Sequence, residues 1–476
     1  MKNTKIVTTI GPASESKEVL KALAGAGMNV VRLNFSHNEH AWHRKVINRV
    51  REVSLELGQP IGILADLQGP RIRIGNESEI PVVAGQMIRV SDISHKDTLP
   101  ASDTPVVFLD IAGISDPLLA GHQVLIEDGT IRLTITGQED GVATANVETD
   151  GLIRPRKGVN LPDSKLSLPI LSAKDRKDLS FVLKEGVDFV GLSFVGSAAD
   201  IESAREAMRS ELPEGARLPD IVSKIERKEA IRNIDEIIKG TDAVMVARGD
   251  LGIEMPESEV TLLQKEIIHK SLMAVKPVIV ATQMMKSMTE SPIPTRAEVS
   301  DVTNAVVDHA DAVMLSEESA MGKYPVETVA MMREIITKTE ESPFDDVFGV
   351  LDLYIHSEYA ALIRSVYELA KSFETRAILL LSMSGYTAKL ASHFRPDTGI
   401  LVATNDRRTY DRLALVWGAR PYLFEGDTHL DTFIDRMVVL AKEDGSLAAG
   451  DKTVVFLGRV PGERDMMRLV GIREIR

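Results

Sequence analysis

Eight short apolar runs limit the folds open to this chain: K-I-V-T-T-I-G (5–11), M-N-V-V-R-L-N-F-S (28–36), I-G-I-L-A-D (61–66), F-V-G-L-S-F (189–194), I-V-S-K-I-E (221–226), A-V-M-V-A-R-G-D (243–250), P-V-I-V-A-T-Q (277–283) and A-V-M-L-S-E (312–317). Each is apolar along most of its length rather than alternating, so both of its faces are buried, as in parallel strands covered by helices on either side. Amphipathic helices fall between them. The first places Leu20, Leu23 and Ala24 on one face, with Ser14 or Ser16 as its cap and Gly25 or Gly27 as its stop. Eight such units predict a (β/α)8 barrel. A doubly wound open sheet is the alternative that the pattern leaves.

Two segments break the alternation. From about 75 to 155 the runs become short and alternating, with turn residues between them: M-I-R-V-S, V-V-F-L-D, Q-V-L-I-E-D-G, I-R-L-T-I-T and V-A-T-A-N-V-E. They predict a compact all-β insert after the third strand. The stretch E-S-P-F-D-D-V-F-G (341–349) reads as a linker, and beyond it A-I-L-L-L-S, I-L-V-A-T-N, P-Y-L-F and T-V-V-F-L-G alternate with helices. The expected division is a barrel over 1–69 and 155–340, a β-barrel lid over 70–154 and a C-terminal α/β domain over 341–476. A chain of 476 residues suits about three domains. Its net charge of −14 argues against nucleic acid or an anionic membrane as partner. It has no cysteine, which removes disulfides and thiol chemistry and fits a reducing compartment. The first strand begins almost at once, leaving no room for a signal peptide, and no run reaches the about 18 residues of a membrane helix. The expectation is a soluble, cytoplasmic protein.

The polar residues of the strands gather at their carboxyl ends: Arg32, Asn34, Ser36, Asp66, Ser193, Lys224, Glu226, Arg248, Asp250, Thr282, Gln283, Ser316 and Glu317. In a barrel this is the active-site face. Lys224 and Glu226 are two apart and share one side of a strand. Alone they read as a structural ion pair. With Asp250 on the next strand, Glu226 forms the pair of carboxylates that suits Mg2+, which takes few protein oxygens and leaves room for water and phosphate. Arg32, Arg71, Arg73, Lys157 and Lys224 supply forks and point charges for phosphate. R-G-D-L-G (248–252) offers glycines for close backbone approach and helix-start amides for an anion. No histidine falls at a strand end, so a histidine base is not expected. Thr282 and Ser316 are either proton relays through water or plain polar residues at the barrel top. The residues thus describe a Mg2+-dependent barrel enzyme acting on phosphorylated anions, with the insert as its lid.

The motifs T-K-I-V-T-T-I-G-P-A-S, M-N-V-V-R-L-N-F-S-H, K-G-V-N-L-P, S-K-I-E, M-V-A-R-G-D-L-G, A-T-Q-M-M-K-S-M and P-T-R-A-E-V-S-D-V-T-N-A-V resemble those of pyruvate kinases, in order and along the whole chain. The resemblance implies phosphoryl transfer from phosphoenolpyruvate to ADP, giving pyruvate and ATP, the last step of glycolysis. It implies Mg2+ (or Mn2+ in its place) on Glu226 and Asp250, with Lys224 at the phosphoryl group in transit. The amides of Gly249 and Asp250, helped by Thr282, would take the substrate carboxylate. Arg32 and Arg73 would grip phosphate, Lys157 would reach the nucleotide phosphates on lid closure, and Asn34 and His37 would meet ATP. Thr282 and Ser316 would lie near the enolate carbon. The helix opened by P-T-R-A-E (294–298) resembles the barrel-to-barrel contact of a homotetramer.

Two departures modify this picture. Many members read D-T-K-G-P-E-I-R-T and need K+, held by residues matching Asn34, Ser36, Asp66 and the Leu67 carbonyl. Members with D-L-Q-G-P-K-I-R dispense with K+, and this chain reads D-L-Q-G-P-R-I-R (66–73). Arg71 therefore stands where it would replace the ion's charge, and K+ is not expected to be required. In the C-terminal domain, S-M-S-G-Y-T (382–387) resembles the family's effector turn, with Ser382, Ser384, Gly385 and Thr387 as phosphate ligands. Met383 and Tyr386 stand where some members carry basic residues, and the final loop (458–467) carries Glu463 and Asp465 as well as Arg459 and Arg464. A sugar monophosphate or a nucleotide is then the expected effector rather than a bisphosphate, with no effector at all as the alternative. The competing readings are a lyase or mutase on phosphoenolpyruvate-like acids, and a non-catalytic regulatory homologue. The first leaves the lid and Lys157 unexplained; the second predicts loss of Lys224, Glu226 or Asp250.

Overall fold

The structure, a computed structural model, describes residues 2–99, 102–166, 168–345, 357–424, 430–458 and 468–476. Eight parallel strands close a barrel: β1 (Lys5–Thr9), β2 (Val30–Asn34), β3 (Gly62–Asp66), β4 (Phe189–Leu192), β5 (Asp220–Ile225), β6 (Ala243–Ala247), β7 (Val278–Ala281) and β8 (Ala312–Leu315), each hydrogen-bonded to the next and β8 to β1. The open-sheet alternative is thereby removed. Alternate residues face inward, and Val7, Val30, Leu64, Val222, Met245 and Ile279 help fill the interior. Their opposite faces, with Ile6, Val31, Ile63, Val190, Val244 and Val280, pack beneath the helices. The first helix, Lys17–Ala26, is capped by Ser16, whose side chain accepts from the Val19 amide, and is stopped by Gly27. Ser14 instead takes the amide of Gly11.

The insert forms a seven-stranded sheet, with Ile72–Arg73 leaving the barrel beside the returning Gly158–Asn160, and a two-stranded sheet of Ile80–Val82 and Gly151–Ile153. All five runs read from the sequence are strands here. The shorter ones, of two or three residues, are too brief to show an alternation in the sequence. The insert has its own apolar core around Ile88, Val107, Val124 and Leu133.

The C-terminal domain holds four parallel strands, β9 (Ala377–Leu381), β10 (Gly399–Thr404), β11 (Ala419–Leu423) and β12 (Lys452–Leu457), and an antiparallel edge strand β13 (Leu469–Glu474). The linker expected at 341–349 lies partly outside the described residues, as do Arg459, Glu463, Arg464 and Asp465.

The two large domains meet at the lower, amino-terminal end of the barrel. Aspartates start or immediately precede four strands: Asp188, Asp220, Asp242 and Asp311. Three of them repeat one device. The carboxylate of Asp188 accepts from the Ile63 amide, that of Asp242 from Ile221 and that of Asp311 from Val278, at 2.8–3.0 Å. Each thus closes a free backbone donor of the neighbouring strand. Cations of the C-terminal domain then dock on the aspartates: Arg412 and Lys389 on Asp220, and Arg395 on Asp311. Ala414 and Leu415 join the apolar layer of the barrel interior itself.

Candidate active site

The upper mouth is the continuation of the inward faces. On β2 the face reads Val30, Arg32, Asn34; on β3, Leu64 then Asp66; on β5, Val222, Lys224 and then Glu226 just past the strand end. Period two carries each strand from an apolar layer to a charged one. Lys224 is nearly buried. Its Nζ donates to Ser193 Oγ at 2.7 Å and pairs with Glu226 Oε1 at 2.8 Å and Asp66 Oδ1 at 3.3 Å. Burial pulls its pKa down, but the Asp66 and Glu226 carboxylates outweigh burial and hold it above the ordinary lysine value. Asp66 in turn takes the Arg32 guanidinium on Oδ2, from Nε at 2.7 Å and Nη2 at 2.6 Å. Burial pushes Asp66 up, and Lys224 and Arg32 override it and bring its pKa below the usual value. Gly191 leaves the space for this carboxylate: a Cβ there would stand 3.0 Å from Asp66 Oδ1.

Glu226 is 1% exposed. Its Oε2 accepts from the amide of Phe194 at 2.7 Å, and Phe194 adopts a left-handed φ of 61°. Burial pushes Glu226 up to about 7; Lys224 opposes this, and the negative charge of Asp250 adds to it. A buried carboxylate that a neighbouring carboxylate makes harder to ionise belongs to a donor set that a divalent cation would relieve, so the residues present fit Mg2+.

The polar ends read as strand termini lie slightly beyond the strands. β6 stops at Ala247, and Arg248–Glu254 is a short helix with Gly249 and Asp250 in its first turn; β7 stops at Ala281, and Thr282 and Gln283 follow with φ of 69° and 56°. The hydroxyl of Thr282 accepts from the Gly249 amide at 2.8 Å and donates to the Ala281 carbonyl at 2.6 Å. Ser316 follows β8, with its amide on Glu318 Oε2 at 2.7 Å.

The cations of the insert and of its return pair with other groups. Lys157 pairs with Glu127 at 2.7 Å. Arg73 donates to the Arg156 carbonyl at 3.1 Å, and its amide to Asp110 at 2.7 Å. Arg71 meets Asp128 at 3.9 Å, while the cations on Asp66 are Arg32 and Lys224. Around the expected monovalent site, Asn34 Oδ1 accepts from the Ser36 amide and the Leu67 carbonyl from Ser193 Oγ. His37 is held through its carbonyl by Nε2 of His43, a buried ring lowered to about 4 by burial and stacked on Phe35.

In the C-terminal turn, Ser384 Oγ accepts from the Tyr386 amide, Gly385 has φ 81°, Thr387 meets the Tyr359 hydroxyl at 3.0 Å, and the Ser382 hydroxyl is buried without a hydrogen bond.

Two features escaped the sequence reading. Glu318 is buried and binds the amides of both Met285 and Ser316, tying the loops after β7 and β8 together. The strand-starting aspartates were legible as V-D-F-V, P-D-I-V, T-D-A-V and A-D-A-V, a recurring pattern at the amino end of barrel strands. Among the described residues no helix is long and apolar enough to cross a membrane.

Known proteins carry the same plan. Residues 1–329 match the family model "Pyruvate kinase, barrel domain" and residues 360–470 match "Pyruvate kinase, alpha/beta domain". A pyruvate kinase of Sporosarcina psychrophila is 38% identical, over 100% of this chain and 81% of the relative. One of Lactobacillus delbrueckii subsp. bulgaricus is 39% identical, over 98% and 80%. A crystal structure of a pyruvate kinase from Cryptosporidium parvum superposes with a TM-score of 0.91 at 32% identity, covering 100% of this chain and 96% of that one. With both of its large domains matched and Lys224, Glu226 and Asp250 all in place at the barrel mouth, the chain belongs to the pyruvate kinase family of phosphotransferases.

Proposed function

We propose that this chain transfers the phosphoryl group of phosphoenolpyruvate to ADP in a Mg2+-dependent, K+-independent reaction. The observation that carries the reading is Lys224, held charged at the mouth by Asp66, Glu226 and Ser193. Glu226 and Asp250 would hold Mg2+ (or Mn2+), which when bound neutralises phosphate charge and leaves coordination positions for substrate. The Gly249 and Asp250 amides, at a helix start, seat the substrate carboxylate with Thr282 beside them. Arg32 and Arg73 grip phosphate, and Lys157 with Asn34 and His37 meets the nucleotide.

The bond from phosphorus to the enol oxygen breaks, and its electron pair stays on that oxygen. A bond forms from phosphorus to the terminal phosphate oxygen of ADP. Lys224 stabilises the charge passing between them and the enolate left behind. The enolate carbon then takes a proton by way of Thr282 or Ser316, giving pyruvate.

The lid, residues 70–154, closes over the barrel of residues 1–69 and 155–340 and excludes water. Lys157, at the return of the insert, and Arg71 in the lid are paired at exposed or half-exposed positions, so releasing Lys157 from Glu127 and Arg71 from Asp128 costs about 0–1 kcal/mol each. Freed in this way, Arg71 supplies the charge of K+ beside Asp66, Leu67, Asn34 and Ser36. The enzyme acts in the cytoplasm as a homotetramer, and a sugar monophosphate or nucleotide binds at Ser382, Ser384, Gly385 and Thr387 of the C-terminal domain, 341–476. The test is coupled detection of pyruvate from phosphoenolpyruvate with and without ADP. Pyruvate formed only with ADP is the expected result, and its absence refutes the reading.

A further inference from the structure

Arg248 opens the short helix at the mouth, yet its donors are directed into the protein. Its Nη1 pairs with Asp301 at 2.7 Å, its Nη2 donates to the carbonyl of Thr282 at 2.6 Å, and its Nε donates to the carbonyl of Ala281 at 3.4 Å. Nη2 also reaches the Met284 sulfur at 2.7 Å, and Nη1 the Gln264 side chain at 3.4 Å. The side chain is 10% exposed.

The two carbonyls are consecutive, and they sit where the chain leaves β7. Thr282 and Gln283 are both left-handed there. That conformation crowds any residue with a Cβ, a β-branched threonine most of all, and persists only where the surroundings over-determine it. A planar guanidinium can span two adjacent carbonyls while a third donor stays on Asp301; a lysine ammonium cannot match this fork. The turn so fixed delivers the Thr282 hydroxyl to the Gly249 amide at 2.8 Å.

We propose that Arg248 is a positioning residue for phosphoryl transfer: it locks the left-handed Thr282–Gln283 turn and thereby holds the Thr282 hydroxyl at the Gly249 amide, where the substrate carboxylate is seated. This rests on the function proposed above. The donors of Arg248 all end on protein atoms, away from substrate and metal. It acts through Thr282, on the side of the mouth that receives phosphoenolpyruvate, away from the lid residues that meet the nucleotide.

The experiment compares wild type, Arg248→Lys and Arg248→Ala by steady-state kinetics in both substrates, with thermal melts to follow folding. Arg248→Lys keeps the charge opposite Asp301 but loses the fork. It is expected to lower kcat by about 10²-fold, the scale of a roughly 1 Å misplacement. It should also raise KM for phosphoenolpyruvate and leave KM for ADP near the wild-type value. Guanidinium chloride at low millimolar concentration should restore part of the activity of Arg248→Ala, where ammonium chloride does not. Unchanged kcat in Arg248→Lys overturns the inference, and so does an equal rise in both KM values, which would mark a merely structural role. If Arg248→Ala does not fold, the split between the two KM values in Arg248→Lys decides alone. Failure of the wild type to make pyruvate from phosphoenolpyruvate and ADP would instead refute the functional reading on which the inference rests.

Discussion

Arg412 of the C-terminal domain donates to Asp220, the first residue of β5, at 2.7 Å, and the same strand presents Lys224 at its other end. Lys389 reaches the second oxygen of Asp220 at 3.3 Å, and Arg412 also donates to the Leu218 carbonyl. Two cations of one domain thus converge on the root of the strand that carries the central lysine of the other. Removing the carboxylate leaves both in a partly buried interface. Asp220→Ala should cost about 1.5–3 kcal/mol, the range for hydrogen bonds to charged groups. Urea unfolding of the two proteins measures it, and a loss below about 0.5 kcal/mol would show the contact to be incidental.

A pH dependence follows from the neighbouring contact. Arg51 lies between two carboxylates of different domains, Asp188 at 3.0 Å and Asp411 at 3.4 Å. Burial pushes Asp188 up to about 6, with Arg51 opposing and Asp411 adding. An unfolded aspartate titrates near about 3.9. The folded chain therefore binds the extra proton between these values, and that stability is complete below about pH 4 and lost as pH rises through about 6. The stability of wild type relative to Asp188→Asn should fall across this window, by about 3 kcal/mol. Denaturant midpoints at closely spaced pH values check it; a difference that does not vary with pH contradicts it.

Lys224 should be needed for both chemistry and structure. Lys224→Met leaves Asp66 and Glu226 buried with one cation fewer, and breaking such a pair costs about 3–5 kcal/mol. Activity should fall by at least about 10³-fold, the scale of losing a fixed charge at a reacting oxygen. A folded Lys224→Met protein with more than a few per cent of wild-type turnover would remove Lys224 from the role proposed for it.

Arg71 offers a test by ion. In tetramethylammonium-balanced buffer, wild type should be as active without K+ as with it, and Arg71→Glu should acquire a K+ requirement. Strong activation of wild type by K+ would refute the substitution of charge for ion.

How much of this was legible in the chain depends on whether local pattern or tertiary pairing set each feature. The eight barrel strands were readable because burial on both faces writes itself as continuous apolar residues, and Lys224, Glu226 and Asp66 because charge at the end of such runs is costly without a purpose. The strands end sooner than the apolar runs imply, just before Arg248, Thr282 and Ser316. There the chain leaves the sheet into left-handed or helical geometry that depends on partners distant in sequence, among them Asp301 and Glu318. The pairing of Lys157 with Glu127 and of Arg71 with Asp128 was invisible for the same reason: spacing reveals which side chains share a strand face, but not which lid loop folds back over them.

The aspartate-studded lower rim, with Ala414 and Leu415 set into the lowest interior layer, bears on how the molecule can be divided. The C-terminal domain supplies part of this barrel's floor. A chain cut after residue 340 would open its innermost side chains to water and strip the counter-charges from Asp220 and Asp311, leaving a sticky remnant rather than a minimal catalyst. The segment furthest from the chemistry in sequence is therefore a working part of the catalytic domain, and a chimaera that exchanges it must bring along the cork and its clasps together.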